Sequence, residues 1–253
     1  MQATVRKQAD YGIDAPDVVR QLAMAGIATT SMATISYLAL HTNRSRLATR
    51  LLVAGVCTGL GCLAGLGSIL WSSKVGKLRG RDRLMEAIPW RGDETVLDVG
   101  CGRGLLLVAA AQHLTTGKAV GVDIWRSQDQ SANRPETTWE NARAEGVADR
   151  IEIEDGDARK LPFRDGTFDV VISSLALHNI HGRAGRAQAV REMARVLKPG
   201  GYVAILDAVR TGEYVQALQD SGMGDVKASQ PYYIFTPLAR IVTAQKASMK
   251  DEL

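Results

Sequence analysis

Three aspartates, Asp98, Asp123 and Asp157, each stand at the end of a strand-like stretch, and Gly100, Gly102 and Gly104 follow the first of them. A carboxylate at such a place accepts hydrogen bonds from ribose hydroxyls or from an exocyclic amine. Glycines in alternation let the backbone turn sharply and bring its N–H groups close to a ligand. Asp123 is placed to accept from both ribose hydroxyls, and Ile124 to lie against a base. Asp157 is placed to accept from an amino group, with the Ala158 N–H beside it. One such acid is usually a solvated turn residue; three at successive run ends point to a nucleoside-like ligand. His178 and His181 follow a fourth run and are the candidates for acceptor contact or for a general base, against the plainer reading that His178 caps its loop.

The elements that must position these residues are readable in order. Thr95–Val99 reads as a buried strand that runs into the glycine turn and an apolar helix, about Leu105 to His113. Further strands are expected at 119–124, 151–155, 169–173 and 202–207, and helices at 135–145, 184–197 and 213–221. Lys198-Pro-Gly-Gly201 is expected to stop the helix before the 202–207 strand, and two final strands are expected at about 225–235 and 239–246. Alternating strands and helices predict a parallel α/β sheet, whose right-handed crossovers bring every strand's C-terminal end to one edge.

Ahead of this pattern lie two uncharged runs, 22–40 and 51–71, each about 20 residues and long enough to cross ~30 Å of hydrocarbon. Thr29, Thr30, Ser31, Thr34 and Ser36 in the first can bond back to their own helix carbonyls. Gly55-x-x-x-Gly59 and Gly61-x-x-x-Gly65 in the second allow close helix approach, and Trp71 suits an interface. The expectation is a transmembrane hairpin, with a pair of buried soluble helices, or an interfacial helix for the more polar first run, as the alternatives. The division is then a polar tail at 1–21, the hairpin at 22–71, a basic linker and helix at 72–90 and an α/β domain at 91–253.

Lys74, Lys77, Arg79, Arg81 and Arg83, with Arg6, Lys7 and Arg20, outweigh Arg44, Arg46 and Arg50 of the loop, which puts both the tail and the domain in the cytoplasm. The C-terminal Lys250-Asp-Glu-Leu253 spells a lumenal retrieval signal and would allow an ER membrane in a eukaryote; it conflicts with that orientation and is read as fortuitous, as is the Asn43-Arg-Ser45 sequon beside the membrane. The net charge of +4 is concentrated in that one basic cluster, and aromatics make up only 5% of residues, so no nucleic-acid partner is expected. Cys57, Cys62 and Cys101 are too few and too scattered for a disulfide framework or a metal site.

The stretches VLDVGCGRG, GVDI, GDARKLPF, FDVVISS and LKPGG, in this order, make residues 84–246 resemble the class I S-adenosylmethionine-dependent methyltransferases, of the methyltransferase type 11 kind. The resemblance implies a Rossmann-like seven-stranded sheet ending in an antiparallel strand, and S-adenosylmethionine as cofactor with S-adenosylhomocysteine as product. It implies cofactor contacts at Asp98, Gly100, Cys101, Gly102, Gly104, Asp123, Ile124, Asp157, Ala158, Ser173 and Ser174. A nicotinamide-dependent oxidoreductase would use G-x-G-x-x-G and has no role for the GDARKLPF and LKPGG stretches; a non-catalytic cofactor-binding membrane scaffold is the other alternative.

Ser173-Ser-Leu-Ala176 stands where amide and exocyclic-amine methyltransferases of that class carry (Asp/Asn)-Pro-Pro-aromatic, which disfavours nucleobase or glutamine acceptors. Arsenic methylation needs several thiols, and the domain has Cys101 alone. The hairpin favours a small lipophilic acceptor dissolved in the membrane, such as a quinone, sterol, terpenoid or lipid. Helix–helix self-association through the glycines is a further expectation, and Tyr232 and Tyr233 are candidates to line the pocket.

Overall fold

The computed structural model describes residues 9–40, 46–232 and 238–248; the sequon, the last four residues, Arg6, Lys7 and Tyr233 lie outside these. Helix α1 (Pro16–Leu40) and helix α2 (Arg46–Trp71) pack as an antiparallel pair. At 25 and 26 residues each spans close to 40 Å at 1.5 Å per residue. Both are long and apolar enough to cross a membrane.

Their contact is made by small residues. A Cβ on Gly55 would meet the Ala33 Cβ at 2.2 Å, and one on Gly59 would meet the Thr30 hydroxyl at 2.2 Å. Gly61 faces open space, so the first of the two small-residue motifs makes the seam and the second contributes only Gly65, against Leu22. Thr29, Thr30 and Thr34 donate to the carbonyls of Ala25, Gly26 and Thr30, as a polar side chain in an apolar helix must.

Helix α2 does not end in a linker. A π-helical turn, Ser72–Gly76, carries it straight into α3 (Lys77–Glu86). Then follow β1 (Thr95–Val99), α4 (Leu105–His113), β2 (Lys118–Asp123), α5 (Pro135–Ala144), β3 (Ile151–Asp155), β4 (Phe168–Ser174), α6 (Arg183–Val196), β5 (Leu197–Asp207), α7 (Thr211–Asp220), β6 (Met223–Ala228) and β7 (Arg240–Lys246).

The seven strands form one sheet in the order β3-β2-β1-β4-β5-β7-β6. The first five run parallel, and β7 is antiparallel to both of its neighbours. The order reverses between β1 and β4, and an open α/β sheet binds ligands at such a switch point. Strands β1 and β2 are buried on both faces, which explains their unbroken apolar runs. Helix α4, Leu-Leu-Leu-Val-Ala-Ala-Ala, is buried all round and fills one face with α3; α6 and α7 fill the other around Phe168, Met193 and Tyr214.

Two boundaries differ from the sequence reading. Strand β5 starts at Leu197, because Leu197 pairs with Phe168 and Lys198 donates to Asp169; the Pro-Gly-Gly stretch lies inside the strand, with Gly200 at φ +77° and its N–H bonded to the Ala247 carbonyl. Strand β6 ends at Ala228, where the Ser229 N–H already bonds the Ile241 carbonyl to begin the return to β7.

Candidate functional site

A cavity of about 540 Å³ opens at the C-terminal ends of β1, β2 and β4. Its floor is the turn after β1. Gly100 has φ +74°, and a Cβ there would stand 2.3 Å from that of Ala176, so only glycine fits both the backbone and the space. The Gly100 and Cys101 N–H groups bond the Val122 carbonyl, which ties the turn to β2. Gly104 then starts α4.

Asp98 is fully buried at the cavity floor, and one of its oxygens has no hydrogen-bond partner. Burial drives its pKa up to about 8; the Leu107 backbone N–H partly offsets this, and the charge of Asp123 adds to it. Asp123 accepts from the Gly102 N–H at 2.8 Å and from the Trp125 N–H at 2.7 Å. Trp125 holds a left-handed backbone at φ +58° to make that bond, and Leu175, across the cavity, holds another at φ +53°. The wall continues with Ile124, half-exposed, and with Gly156, Asp157 and Ala158 after β3. Asp157 is already paired with Arg159, which holds its carboxyl below the usual carboxylate range.

Opposite these, β4 ends in Ser174, Leu175 and Ala176, and a short 3-10 turn, Leu177–Asn179, presents His178. The His178 Nδ1 lies 2.9 Å from Asp207 Oδ1. Asp207, at the end of β5, is wholly buried and also accepts from the Tyr214 hydroxyl at 2.9 Å and from the Ala208 N–H at 2.7 Å. A carboxyl so surrounded by donors acts as acceptor, so Nδ1 carries the imidazole proton and Nε2 is left as the basic nitrogen. Burial pulls the His178 pKa down, but the bond and charge of Asp207, with Asp129 and Asp14 beyond it, outweigh this and leave it raised.

Sequence reasoning placed Asp98, Gly100, Cys101, Gly102, Asp123, Ile124, Asp157, Ala158, Ser174, His178 and His181, and all of these line the cavity. Gly104 is behind it, at the start of α4, with its Cα toward Thr138. Ser173 is a correction: it is fully buried, and its hydroxyl donates to the Val99 carbonyl, fastening β4 to β1 rather than facing a ligand. Strand alternation requires this, since Ser174 faces the cavity. Tyr232 packs under the Arg83 guanidinium, away from the cavity.

The sequence reading missed Asp207 and Tyr214, and it treated residues before α1 as a tail. Residues 10–15 instead cross the cavity rim. Lys77, buried in α3, donates to the Tyr11 and Gly12 carbonyls and to Asp14 at 2.7, 3.1 and 3.1 Å. Arg103, from the glycine turn itself, holds the Asp10 carbonyl and carboxylate at 2.9 and 3.1 Å. Gln130 links the Arg103 N–H to the Tyr11 carbonyl. The i, i+4 spacing of Ile69, Ser73 and Lys77 was the available signal, for it puts all three on one helix face.

The donor set suits a nucleoside cofactor that carries positive charge. A buried, unpartnered Asp98 oxygen can meet an ammonium group, Asp123 the ribose, and the loop after β3 the base. The site residues thus fit S-adenosylmethionine.

Comparison with known proteins agrees. Residues 97–205 match the family described as methyltransferase domain. The 27-O-demethylrifamycin SV methyltransferase of Amycolatopsis mediterranei is 36% identical over 128 residues, 50% of this chain and 43% of that protein. The chloroplastic 2-phytyl-1,4-beta-naphthoquinone methyltransferase of Arabidopsis thaliana is 36% identical over 143 residues, 55% of this chain and 52% of that one. The chain thus spans about half the length of the curated relatives it matches. Among solved structures, the [4+2]-cyclase SpnF superposes with a TM-score of 0.56 at 20% identity, covering 68% of this chain and 82% of that one. Geranyl diphosphate C-methyltransferase from Streptomyces coelicolor A3(2), solved with S-adenosyl-L-homocysteine, gives 0.52 at 16% identity over 68% and 79%. These last two show the fold. Residues 97–205 thus form a methyltransferase domain similar to those of S-adenosylmethionine-dependent methyltransferases.

Proposed function

We propose that the chain is a membrane-anchored methyltransferase that uses S-adenosylmethionine to methylate a small lipophilic acceptor carrying an ionisable proton. The observation that carries this reading is the pairing of His178 with buried Asp207 across the cavity from the glycine turn. A non-catalytic scaffold has no use for a basic nitrogen held in that way.

The cofactor supplies a methyl group already activated on a sulfonium. Asp98 and Asp123 hold it by its positive and hydroxyl-bearing parts. Leu175 and Ala176 narrow the space above it, aligning the acceptor and keeping water out. With the cofactor supplying the methyl group, the acceptor's proton would pass to His178 Nε2. Asp207 then stabilises the imidazolium, and Tyr214 fixes Asp207. His181, also at the cavity wall, is placed to contact the acceptor.

Anchoring is supported by what α1 and α2 leave uncovered. Ile27, Met32, Ile35, Leu38, Leu60 and Leu63 are all more than half exposed. A soluble domain would have to cover such a surface. Of the α2 glycines, Gly55, Gly59 and Gly65 face α1, which leaves Gly61 and Gly67 open for self-association. The relatives' names include 2-phytyl-1,4-beta-naphthoquinone and 27-O-demethylrifamycin SV.

Calorimetric titration of the full chain in nanodiscs with S-adenosylmethionine, S-adenosylhomocysteine and NAD tests the cofactor. Micromolar binding of the first two and none of NAD is expected; the reverse would overturn it. Transfer of radiolabelled methyl groups to a panel of quinols and other lipophilic phenols tests the acceptor class, and retention in the pellet after carbonate extraction tests the anchor.

A further inference from the structure

The cavity has a wall that methyl transfer does not require. Ser68, Ile69, Ser72 and Ser73 line it from the last turn of α2 and the π-helical turn, and Asp14 and Ala15 line it from the residues just before α1. Both lower ends of the hairpin therefore meet at the cavity mouth. Ser73 joins them: its hydroxyl accepts from the Asp14 N–H at 3.0 Å.

Depth along the helix grades this wall. Trp71, with the Arg79 guanidinium 5.8 Å over its ring, marks the interface between lipid and water. Ile69 lies about 3 Å to the lipid side of it, at 1.5 Å per residue. Ser73, Lys77 and Asp14 lie to the water side, and beyond them come Asp129 and His178. The part of the lining that α2 and the π-helical turn contribute is thus uncharged, Ile69 among the small Ser68, Ser72 and Ser73, while the ionisable Asp129 and His178 line it from the α/β domain. A cavity of about 540 Å³ is also of the size one nucleoside cofactor and a compact head group fill. A long acceptor tail has to stay outside.

We propose that the hairpin is the acceptor's loading path: a single-tailed amphipathic molecule with a polar, proton-bearing head enters sideways from the bilayer between Ala15 and Ile69, its head reaching His178 while its tail remains along α1 and α2. This rests on the methyltransferase reading and assigns α2 a part in acceptor selection as well as in anchoring. The acceptor reaches the site without crossing water, and a tail-less analogue in solution is the poorer substrate.

The experiment needs no knowledge of the natural acceptor. In a full chain bearing Cys57→Ala and Cys62→Ala, Ser72→Cys is labelled with a bimane fluorophore and placed in phosphatidylcholine nanodiscs. The probe is 5-doxyl-stearate, a single-tailed amphiphile with a quenching nitroxide near its head. Labels at Leu60→Cys, on the lipid-facing surface, and at Arg164→Cys, on an exposed loop, give the two reference levels. Quenching at Ser72 at least threefold above that at Arg164, and lost when Ile69→Trp plugs the mouth while Leu60 quenching stays, is the expected result. Quenching at Ser72 by aqueous iodide but not by the doxyl probe, or quenching indifferent to the plug, overturns the proposal. S-adenosylhomocysteine titration of each labelled variant reports the cofactor site separately; Ile69→Phe replaces the tryptophan plug should the latter weaken it. Failure of that titration in the unsubstituted chain would instead count against the methyltransferase reading, whatever the quenching shows.

Discussion

Asp207 reaches His178 from the end of the neighbouring strand and touches the cavity nowhere itself. It is a positioning residue, and its effect on the imidazole is measurable. His178 is the base of the proposed reaction, and Asp207, Asp129 and Asp14 are the charges that raise its pKa. In Asp207→Asn the strongest of these is lost, so the His178 C2-proton titration in NMR should move to lower pH. Once an acceptor is found, the acid limb of kcat/KM should move the same way. Turnover should fall roughly 10²-fold or more, the low end of general-base contributions, while S-adenosylhomocysteine affinity holds. An unmoved titration would mean that the pair is only structural.

Asp98 gives a different pH signature. Its carboxyl is neutral below about pH 8 in the ligand-free fold. Because the folded state then holds a proton that the unfolded chain releases near pH 4, this group makes stability fall as pH rises between about 4 and 8. Meeting a cationic cofactor requires ionisation, so binding should release a proton, and affinity should climb with pH over that window by up to about tenfold per unit. Calorimetry in buffers of different ionisation enthalpy counts the proton. Asp98→Asn should bind more weakly and lose the pH dependence.

The hairpin seam predicts a crosslink. A Cβ on Gly26 would stand 3.2 Å from the Cys62 Cβ, close to disulfide range after a small relaxation. Gly26→Cys should therefore form an intramolecular bond with native Cys62 under mild oxidant, seen as a shift on non-reducing gels. Adding Gly59→Leu, whose side chain has no room beside Thr30, should abolish it.

Lys77 predicts the behaviour of the segment at the cavity rim. Its ammonium is almost wholly buried and serves two carbonyls and one carboxylate. Lys77→Met keeps the stem and removes the donor; the Gly12 carbonyl loses the donor Lys77 gave it, at about 1–3 kcal/mol, while Gln130 still serves the Tyr11 carbonyl and Asp14. Hydrogen exchange at residues 10–15 should quicken at least tenfold, with β1 and β4 unchanged.

The sheet and the cofactor turn were legible because their determinants are local. Five apolar runs, a glycine turn and acids at run ends each declare themselves within ten residues, and all seven strands were found. What escaped is long-range. Asp207 looks like one more acid ending a strand, and only the β4–β5 pairing brings it under His178. Ser173 and Ser174 are the same residue type in succession, and only the pleat tells which faces the ligand. Asp10 and Asp14 lie 93 and 63 positions from Arg103 and Lys77, and no local pattern joins them.

The rim segment has a consequence for how the chain is made. Residues 10–14 must reach Lys77 and Arg103, and the hairpin lies between the two partners in sequence. For a hairpin inserted as proposed, the two can meet only when the chain crosses the bilayer an even number of times. A chain with one helix inserted and the other left out would strand Asp10 and Asp14 on the far side. Its cavity would then lack a rim, and Lys77 would lack its acceptors. On the proposed anchoring, the fold would check biogenesis: a mis-inserted copy would build an incomplete cavity, with Lys77 and Arg103 left without the partners that residues 10–14 supply.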